Sequence, residues 1–315
     1  MNSPPNRPDA LWSIVLAGGD GQRTRPFITR WLGNPKPKQY CVFSGERSLF
    51  QQTLDRAERL TPSKRRVTVA AAWHRSEVLK QVHGREEGRV VFQPVNRGTA
   101  PGVFLPLSYV KAADPSATVA LFPSDHFVHP EDAFAESIRC AVRAVDHLPR
   151  QVILLGAVPD CLEQDYGWIE PGRATVWDSR WGVRPVRRFV EKPSLDEARA
   201  TMAVGGLWNT FVVVSRLSTL WELGWAHLPE MMPLFESLSR TVGTSREPEM
   251  LETIYRDMPH LDFSADLLQR IPARLGVVEM TEVIWSDWGR PERIAETLER
   301  VGQTPAFPVE ALAAA

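Results

Sequence analysis

Residues 14–25 read IVLAGGDGQRTR, an apolar run that stops at two glycines and then releases Asp20, Arg23 and Arg25. A short run of β-branched and aliphatic residues closed by glycine reads as a buried strand that delivers a loop. Glycine lets backbone N–H groups come close to a ligand, and arginines beside it point to an anionic ligand, above all a phosphate. The dinucleotide fingerprint GxGxxG fails here because position 24 is Thr, and no Gly-Lys pair follows at the spacing of a P-loop. A third kind of phosphate loop is needed.

Outward from this stretch, similar short runs recur: SIVLA (13–17), VTVAAAW (67–73), RVVFQP (89–94), ATVALFPSD (117–125) and VILLGAVP (152–158). Between them lie helical patterns. SLFQQTLDRAERL (48–60) opens with a Ser-x-x-Gln capping box, and EDAFAESIRCAVRAVDHL (131–148) follows Pro130 as a helix start should. Strand alternating with helix, the strands nearly continuous in apolar residues, predicts a mostly parallel sheet covered on both faces. Ligands of such sheets sit outside the carboxyl ends of the strands, where both the opening loop and PSDH (123–126) fall. Past residue 160 the texture changes. VRPVRRFVEKP (183–193) and LWNTFVVV (207–214) read as strands flanking a helix capped by Ser194 and Glu197, 215–271 is mainly helical, LGVVEM (275–280) is a late strand, and PERIAETLERVG (291–302) is an amphipathic helix.

Composition narrows the function classes. The chain has 315 residues, enough for one large α/β domain or a main domain with an appendage, and a formal net charge of −1. That balance lacks the cationic field that nucleic-acid or anionic-membrane binding needs, so neither partner is expected and any phosphate site must be local. Cys41, Cys140 and Cys161 are widely spaced, without a CxxC pair, which fits a reducing compartment rather than a zinc or disulfide framework. The polar, proline-rich residues 1–10 predict a loose tail, no run approaches a membrane span, and a cytoplasmic location is expected.

GGDGQRTRP continued by NPKPKQY has the form GGxGxRxxP…PK, which resembles the signature of the sugar-1-phosphate nucleotidylyltransferases, the NDP-sugar pyrophosphorylases. Further segments follow in the family's order. QPVNRGTAP (93–101) is similar to the EPxxRNTAP of the mannose-1-phosphate guanylyltransferase branch, PSDH (123–126) to PADH, YGWIE (166–170) to GYGYI, and FVEKP (189–193) is identical to FVEKP. WNTFVVV (208–214) resembles WNSGMFLF, SADLLQR (264–270) parallels SIDYAVM, and WSDWG (285–289) parallels WSDVG. The likeness spans residues 14 to 289.

The resemblance implies a Rossmann-like, three-layer α/β nucleotidyltransferase (GT-A-like) fold with a mostly parallel central sheet and a short C-terminal helical extension. Residues 11–290 would form the transferase domain, with a nucleotide half at about 11–150 and a sugar-phosphate half at about 151–290, and 291–315 the helix and tail. The implied substrates are an NTP, with GTP leading, and a sugar 1-phosphate, with mannose 1-phosphate leading, joined with release of pyrophosphate. Arg23 would hold the triphosphate with backbone groups from Gly18, Gly19 and Gly21, and Lys38 would neutralise charge near the α-phosphate. Asp125 and Asp287 stand where the family binds Mg²⁺, an ion that takes few protein carboxylates and completes its shell with phosphate oxygens. Asp125 is thus both catalytic and metal-binding. Glu191 and Lys192 would face the sugar and its phosphate, with Asn209 and Gly167 beside them; Leu16, Ala17, Gly18, Gln93, Gly98 and Thr99 would serve the nucleotide, Gln93 and Gly98 at the base edge.

Departures from the family pattern fall on specificity rather than on the cations and aspartates. Gln22 stands for Thr, Thr24 for Leu, Gln93 for Glu, Gly98 for Asn and Phe211 for Gly, and RWLGN (30–34) lengthens the loop before PKPK. Two other readings stay open: the same reaction on another hexose or a heptose 1-phosphate, and a non-catalytic sugar-nucleotide-binding regulatory subunit. Homo-oligomerisation is possible, and no isomerase domain of the kind that follows the transferase in some relatives is expected after residue 302.

Overall fold

The structure is a computed structural model and describes residues 11–85, 88–173 and 182–312. The tail expected at residues 1–10 lies outside them. Among the described residues the chain builds one nine-stranded sheet in the order β3-β2-β1-β4-β9-β6-β10-β8-β7, with β7 also pairing β9. The strands are β1 (Leu11–Ala17), β2 (Arg66–Ala71), β3 (Arg89–Gln93), β4 (Thr118–Pro123), β6 (Val152–Ala157), β7 (Gly167–Pro171), β8 (Val183–Glu191), β9 (Leu207–Arg216) and β10 (Leu275–Met280). A separate two-stranded ribbon pairs β5 (Phe127–His129) with β11 (Ile284–Ser286).

β1 to β4 run parallel, β10 runs parallel to β6, and among the described strands β8 and β9 run against the others. The mostly parallel sheet expected from the apolar runs is therefore present, and RVTVAA of β2 and VILLGA of β6 are buried along their whole length, as a sheet covered on both faces requires. The two reversed strands come from VRPVRRFVE and LWNTFVVVSR.

The helices that alternate with the first strands are α1 (Arg25–Leu32), α2 (Leu49–Glu58), α3 (Arg75–Val82), α4 (Thr99–Ala113) and α5 (Glu131–His147). Two apolar layers flank the sheet. One packs Phe104, Leu107 and Val110 of α4 against Phe235 and Phe263 from the helical segment after β9; the other packs α2 and α5 through Phe50, Leu54, Phe134 and Ile138. The predicted capping boxes form as read. Ser48 accepts from the Gln51 N–H while Gln51 reaches back, and Ser194 and Glu197 do the same at the start of α6 (Leu195–Ala203). A third apolar cluster joins α1 to the C-terminal helix Pro291–Arg300 through Phe27, Phe43, Trp288, Ile294, Leu298 and Phe307. The C-terminal extension is thus docked beside the opening loop, with Ala306 N donating to the Phe43 carbonyl at 2.8 Å.

Chain order 3-2-1-4 places a reversal of winding between β1 and β4, and the crevice beyond their carboxyl ends is where such sheets hold ligands.

Candidate active site

The glycine loop leaves β1 at Ala17 and is held from below by the second half of its own signature. Gln39 Nε2 donates to the carbonyls of Ala17 (3.2 Å) and Gly19 (2.7 Å), and the Tyr40 hydroxyl donates to Ala17 O at 3.0 Å. Gly21 takes a left-handed φ of +59°, and a Cβ there would stand 3.2 Å from the backbone N of Lys38. Only glycine meets both demands at low cost. GGDG and PKPKQY, separated by a helix in sequence, are one structural unit.

Lys38 is 4% exposed. Its Nζ donates to the main-chain carbonyl of Asp287, lies 3.5 Å from Trp288 O and stands 3.2 Å from Asp125 Oδ2. The β5–β11 ribbon explains how two aspartates so far apart in sequence come to share it. Its antiparallel register sets Phe127 opposite Ser286, so Asp125, just before one strand, and Asp287, just after the other, arrive at the same end.

Asp287 is held by a dense set of donors. Oδ1 accepts from the Tyr166 hydroxyl and from Gly289 N at 2.8 Å, while Oδ2 accepts from Arg23 Nη2 at 2.8 Å. The other arm of Arg23, Nη1, donates to Asp165 at 2.6 Å. Burial works against ionising Asp287, but Lys38, the Tyr166 hydroxyl and the Gly289 N–H outweigh it and hold the carboxyl below the usual aspartate range. Asp125 behaves alike: burial opposes its charge and Lys38 overcomes that. Both are carboxylates at neutral pH, presenting hard oxygen donors around a buried ammonium.

The residues that the resemblance assigns to the sugar also meet. A Cβ on Gly167 would stand 2.7 Å from Glu191 Oε2 and 3.2 Å from Asn209 Cβ, so the glycine is what lets the three approach. Among the described residues the buried Glu191 Oε2 has no hydrogen-bond partner, a cost tolerated where a ligand supplies the donor. Burial pushes the Glu191 carboxyl up to about 7, with Asp262 adding to the effect and Lys192 and Ser264 opposing it. Lys192 has a left-handed φ of +48° and donates its N–H to Tyr166 O at 3.2 Å; the side chain is exposed. Phe211, where the family pattern has glycine, keeps a left-handed φ of +58° and donates its N–H to Asn209 Oδ1 at 3.2 Å. An aromatic residue here carries backbone strain of order 1–3 kcal/mol, offset by packing of its ring on Phe263 at 5.7 Å.

A cavity of about 430 Å³ is lined by Leu16, Gly18, Gly19, Gln93, Gly98 and Thr99, together with Asp125, Phe211 and Asp262. Six of the sequence-predicted nucleotide residues therefore share one space. Ala17 is fully buried and contributes its carbonyl to Gln39 and Tyr40, and Gly21 packs on Lys38. A Cβ on Gly98 would lie 2.3 Å from Leu261 O, and Thr99 Oγ1 donates to Asp262 Oδ2 at 3.0 Å while accepting from Phe263 N at 2.7 Å. Gly98 is thus also the close contact that docks the QPVNRGTAP segment on residues 260–263.

The meeting of Arg23, Lys38, Asp125 and Asp287 is the arrangement that the collinear motifs imply. The profile described as Nucleotidyl transferase matches residues 12–303. The chain belongs to the nucleotidyl transferase family. It is 27% identical over 296 residues to mannose-1-phosphate guanylyltransferase 2 of Escherichia coli O157:H7, covering 88% of this chain and 58% of that protein. It is 30% identical over 209 residues to the mannose-1-phosphate guanylyltransferase of Salmonella montevideo, covering 64% and 42%. The chain thus spans about half the length of these relatives. Among solved structures, the Thermus thermophilus protein described as a mannose-1-phosphate geranyltransferase superposes with a TM-score of 0.77 at 25% identity, covering 91% of this chain and 79% of that one.

Sequence reading missed the residues that support this arrangement. Tyr166, Asp165 and Arg293 surround Asp287 and Arg23: Arg293 Nη1 donates to the Tyr166 hydroxyl at 3.1 Å and its guanidinium lies over the Tyr166 and Trp208 rings. Tyr166 stood in a quoted motif, but its contact with Asp287 spans 121 positions and has no local signature. Tyr255 and Asp262 lie in helical sequence that carried no signal at all.

Proposed function

We propose that this chain transfers a nucleotidyl group from an NTP, GTP, to a sugar 1-phosphate, mannose 1-phosphate, giving GDP-mannose and pyrophosphate. What carries the reading is the convergence of Arg23, Lys38, Asp125 and Asp287, beside a second cluster of Gly167, Glu191 and Asn209. In the reaction a phosphate oxygen of the sugar 1-phosphate forms a bond to the α-phosphorus, the α–β anhydride bond breaks, and its electron pair leaves with pyrophosphate. Both reactants are anions, so the chain's task is to bring them together and to compensate charge. Lys38 stands ready beneath the α-phosphate, Arg23 offers its guanidinium to the triphosphate in exchange for Asp165, and Glu191 accepts hydroxyl protons of the sugar in hydrogen bonds.

Asp125 and Asp287 fit a divalent cation. They are ionised, hard oxygen donors gathered around Lys38, and with two carboxylates from the chain, phosphate oxygens would complete the shell as Mg²⁺ prefers. When bound, Mg²⁺ supplies charge neutralisation on the phosphates. No helix among the described residues is long and apolar enough to cross a membrane.

The direct experiment is a matrix of common NTPs against hexose and heptose 1-phosphates, reading pyrophosphate release with Mg²⁺. GTP with mannose 1-phosphate is expected to give the highest kcat/KM. Another best pair would keep the reaction and change the substrates, and no release with any pair would make the chain a binding protein.

Glu191 makes a pH prediction. Its carboxyl protonates as pH falls through about 7, so the KM for the sugar 1-phosphate should rise on that limb while the KM for the nucleotide stays level. In Glu191→Gln the limb attributable to this group should vanish, leaving only the titration of the substrate's own phosphate. The stability linkage of the ligand-free protein has the opposite sense. With the folded value raised, the contribution is fully present below the ordinary value of 4.5 and is lost as pH rises through about 7.

A further inference from the structure

Two arginines tie the stretch after Asp287 to the segment between β6 and β7. Arg290 Nη2 donates to Glu163 Oε2. Arg293, on the C-terminal helix Pro291–Arg300, brings its Nη2 within 3.5 Å of the same oxygen and donates from it to Cys161 Sγ at 2.8 Å. Glu163 is buried; its Oε1 accepts from Asp165 N at 3.2 Å and its carbonyl accepts from Trp168 Nε1 at 2.7 Å. Residues 161–168 are thus folded around one buried carboxylate that the two arginines neutralise. The same segment delivers Asp165 to Arg23 and Tyr166 to Asp287.

The direction of the hydrogen bonds through Tyr166 is decided by its neighbours. A guanidinium has donors only and an ionised carboxylate acceptors only. Arg293 Nη1, 3.1 Å from the Tyr166 hydroxyl oxygen, must therefore donate to it, and the single phenolic proton goes to Asp287 Oδ1. Oδ1 also accepts from Gly289 N at 2.8 Å, which takes up both of its lone pairs. Among the described residues Oδ2 accepts only from Arg23, so it keeps one lone pair open. The Arg293 guanidinium also lies over the Tyr166 and Trp208 rings, 5.6 and 5.4 Å from their centroids, and cation–π attraction adds to its hold.

We infer that Arg293 is a positioning residue for the candidate metal carboxylate: by holding the Tyr166 hydroxyl as a donor to Asp287 Oδ1, it leaves Oδ2 as the oxygen that meets the cation. Without Arg293 the phenol is free to rotate its proton elsewhere, and the Asp287 carboxylate loses the contact that fixes which oxygen it offers. The C-terminal helix thereby takes part in metal binding through a chain of two hydrogen bonds. The inference rests on the proposed assignment of Mg²⁺ to Asp125 and Asp287.

The test compares the dissociation constant of GTP, by calorimetry, in EDTA and at saturating Mg²⁺ for the wild type, Arg293→Met, Tyr166→Phe and the double variant. The readout is the gain in affinity that Mg²⁺ brings, which needs no turnover. The wild type should gain at least about tenfold, and each single variant should lose about three- to tenfold of that gain, near the lower end of what groups that orient a metal ligand contribute. Affinity in EDTA should stay within about twofold of the wild type. The double variant should lose no more than the weaker of the two single ones, because both side chains act through one proton. Arg293 also touches Cys161 and Glu163, so a thermal melt accompanies each variant; Tyr166→Phe leaves those contacts in place and carries the test on its own if Arg293→Met does not fold. An unchanged gain in either variant, an equal fall in affinity with and without Mg²⁺, or losses that multiply in the double variant each overturns the inference. With pyrophosphate release by the wild type intact, those results leave the nucleotidyltransferase reading standing. A wild type that gains nothing from Mg²⁺ removes the metal assignment and this inference together, and a wild type that neither binds GTP nor releases pyrophosphate with any pair removes the proposed function as well.

Discussion

Asp287→Asn and Asp125→Asn are each expected to lower turnover by about 10³-fold at fixed Mg²⁺ with the fold intact. A metal carboxylate contributes several kcal/mol of charge stabilisation in phosphoryl chemistry, and each 1.36 kcal/mol is a factor of ten in rate. The fold should survive because the asparagine carbonyl can still accept from Tyr166 and from Gly289 N. The two variants should nevertheless differ. Asp287 also restrains Arg23, whose other arm is on the exposed Asp165, so its loss should raise the KM for the NTP as well, whereas Asp125→Asn should act mainly on kcat and on the Mg²⁺ concentration needed for half-maximal rate. Direct titration of Mg²⁺ in the presence of NTP should show weakened binding in both. Near-wild-type rates for both variants at saturating Mg²⁺ would falsify the metal assignment.

How much of this was legible in advance divides along a physical line. Strand periodicity and capping boxes are local and were legible: LGVVEM is β10 to the residue, and Ser48 and Ser194 cap their helices through the partners their spacing implied, whereas RWLGN, read as added loop, ends helix α1 at Leu32 with Gly33 as its left-handed cap. The gathering of Arg23, Lys38, Asp125 and Asp287 was reached only through the order of motifs, because the β5–β11 ribbon that joins the aspartates is three residues a side and has no pattern strong enough to announce it. The supporting contacts were not reachable. Tyr166 on Asp287, Arg293 on Tyr166 and Tyr255 on Gln93 are long-range pairs between residues that are individually ordinary for their elements. Phe211 illustrates the limit from the other side. Its replacement of glycine was visible in sequence, but the left-handed backbone that makes the replacement costly, and the Phe263 ring that compensates it, belong to the folded chain.

Lys38→Met should combine a loss of rate with a loss of stability whose pH dependence identifies the cause. The substitution keeps most of the side-chain volume and removes the one buried ammonium between Asp125 and Asp287. Breaking a fully buried pair costs about 3–5 kcal/mol; Asp125 is 35% exposed, so water screens part of this, and roughly 2 kcal/mol is the appropriate expectation. For a chain of 315 residues that corresponds to a fall in Tm of about 3 °C. The sign with pH follows from the depressed carboxyls. In the wild type their contribution is present above the ordinary aspartate value of 3.8 and is lost as pH falls through the lower folded values. Without Lys38 those folded values rise, so the gap between wild type and variant should be widest near neutral pH and close toward strongly acid pH. A gap independent of pH would mean that the variant suffers from packing alone. A pH-dependent gap accompanied by wild-type turnover would make Lys38 a structural counter-ion to the aspartates with no part in the reaction. Loss of both together, with bound Mg²⁺·NTP raising the stability of the wild type but not that of the variant, is the outcome that places Lys38 under the α-phosphate.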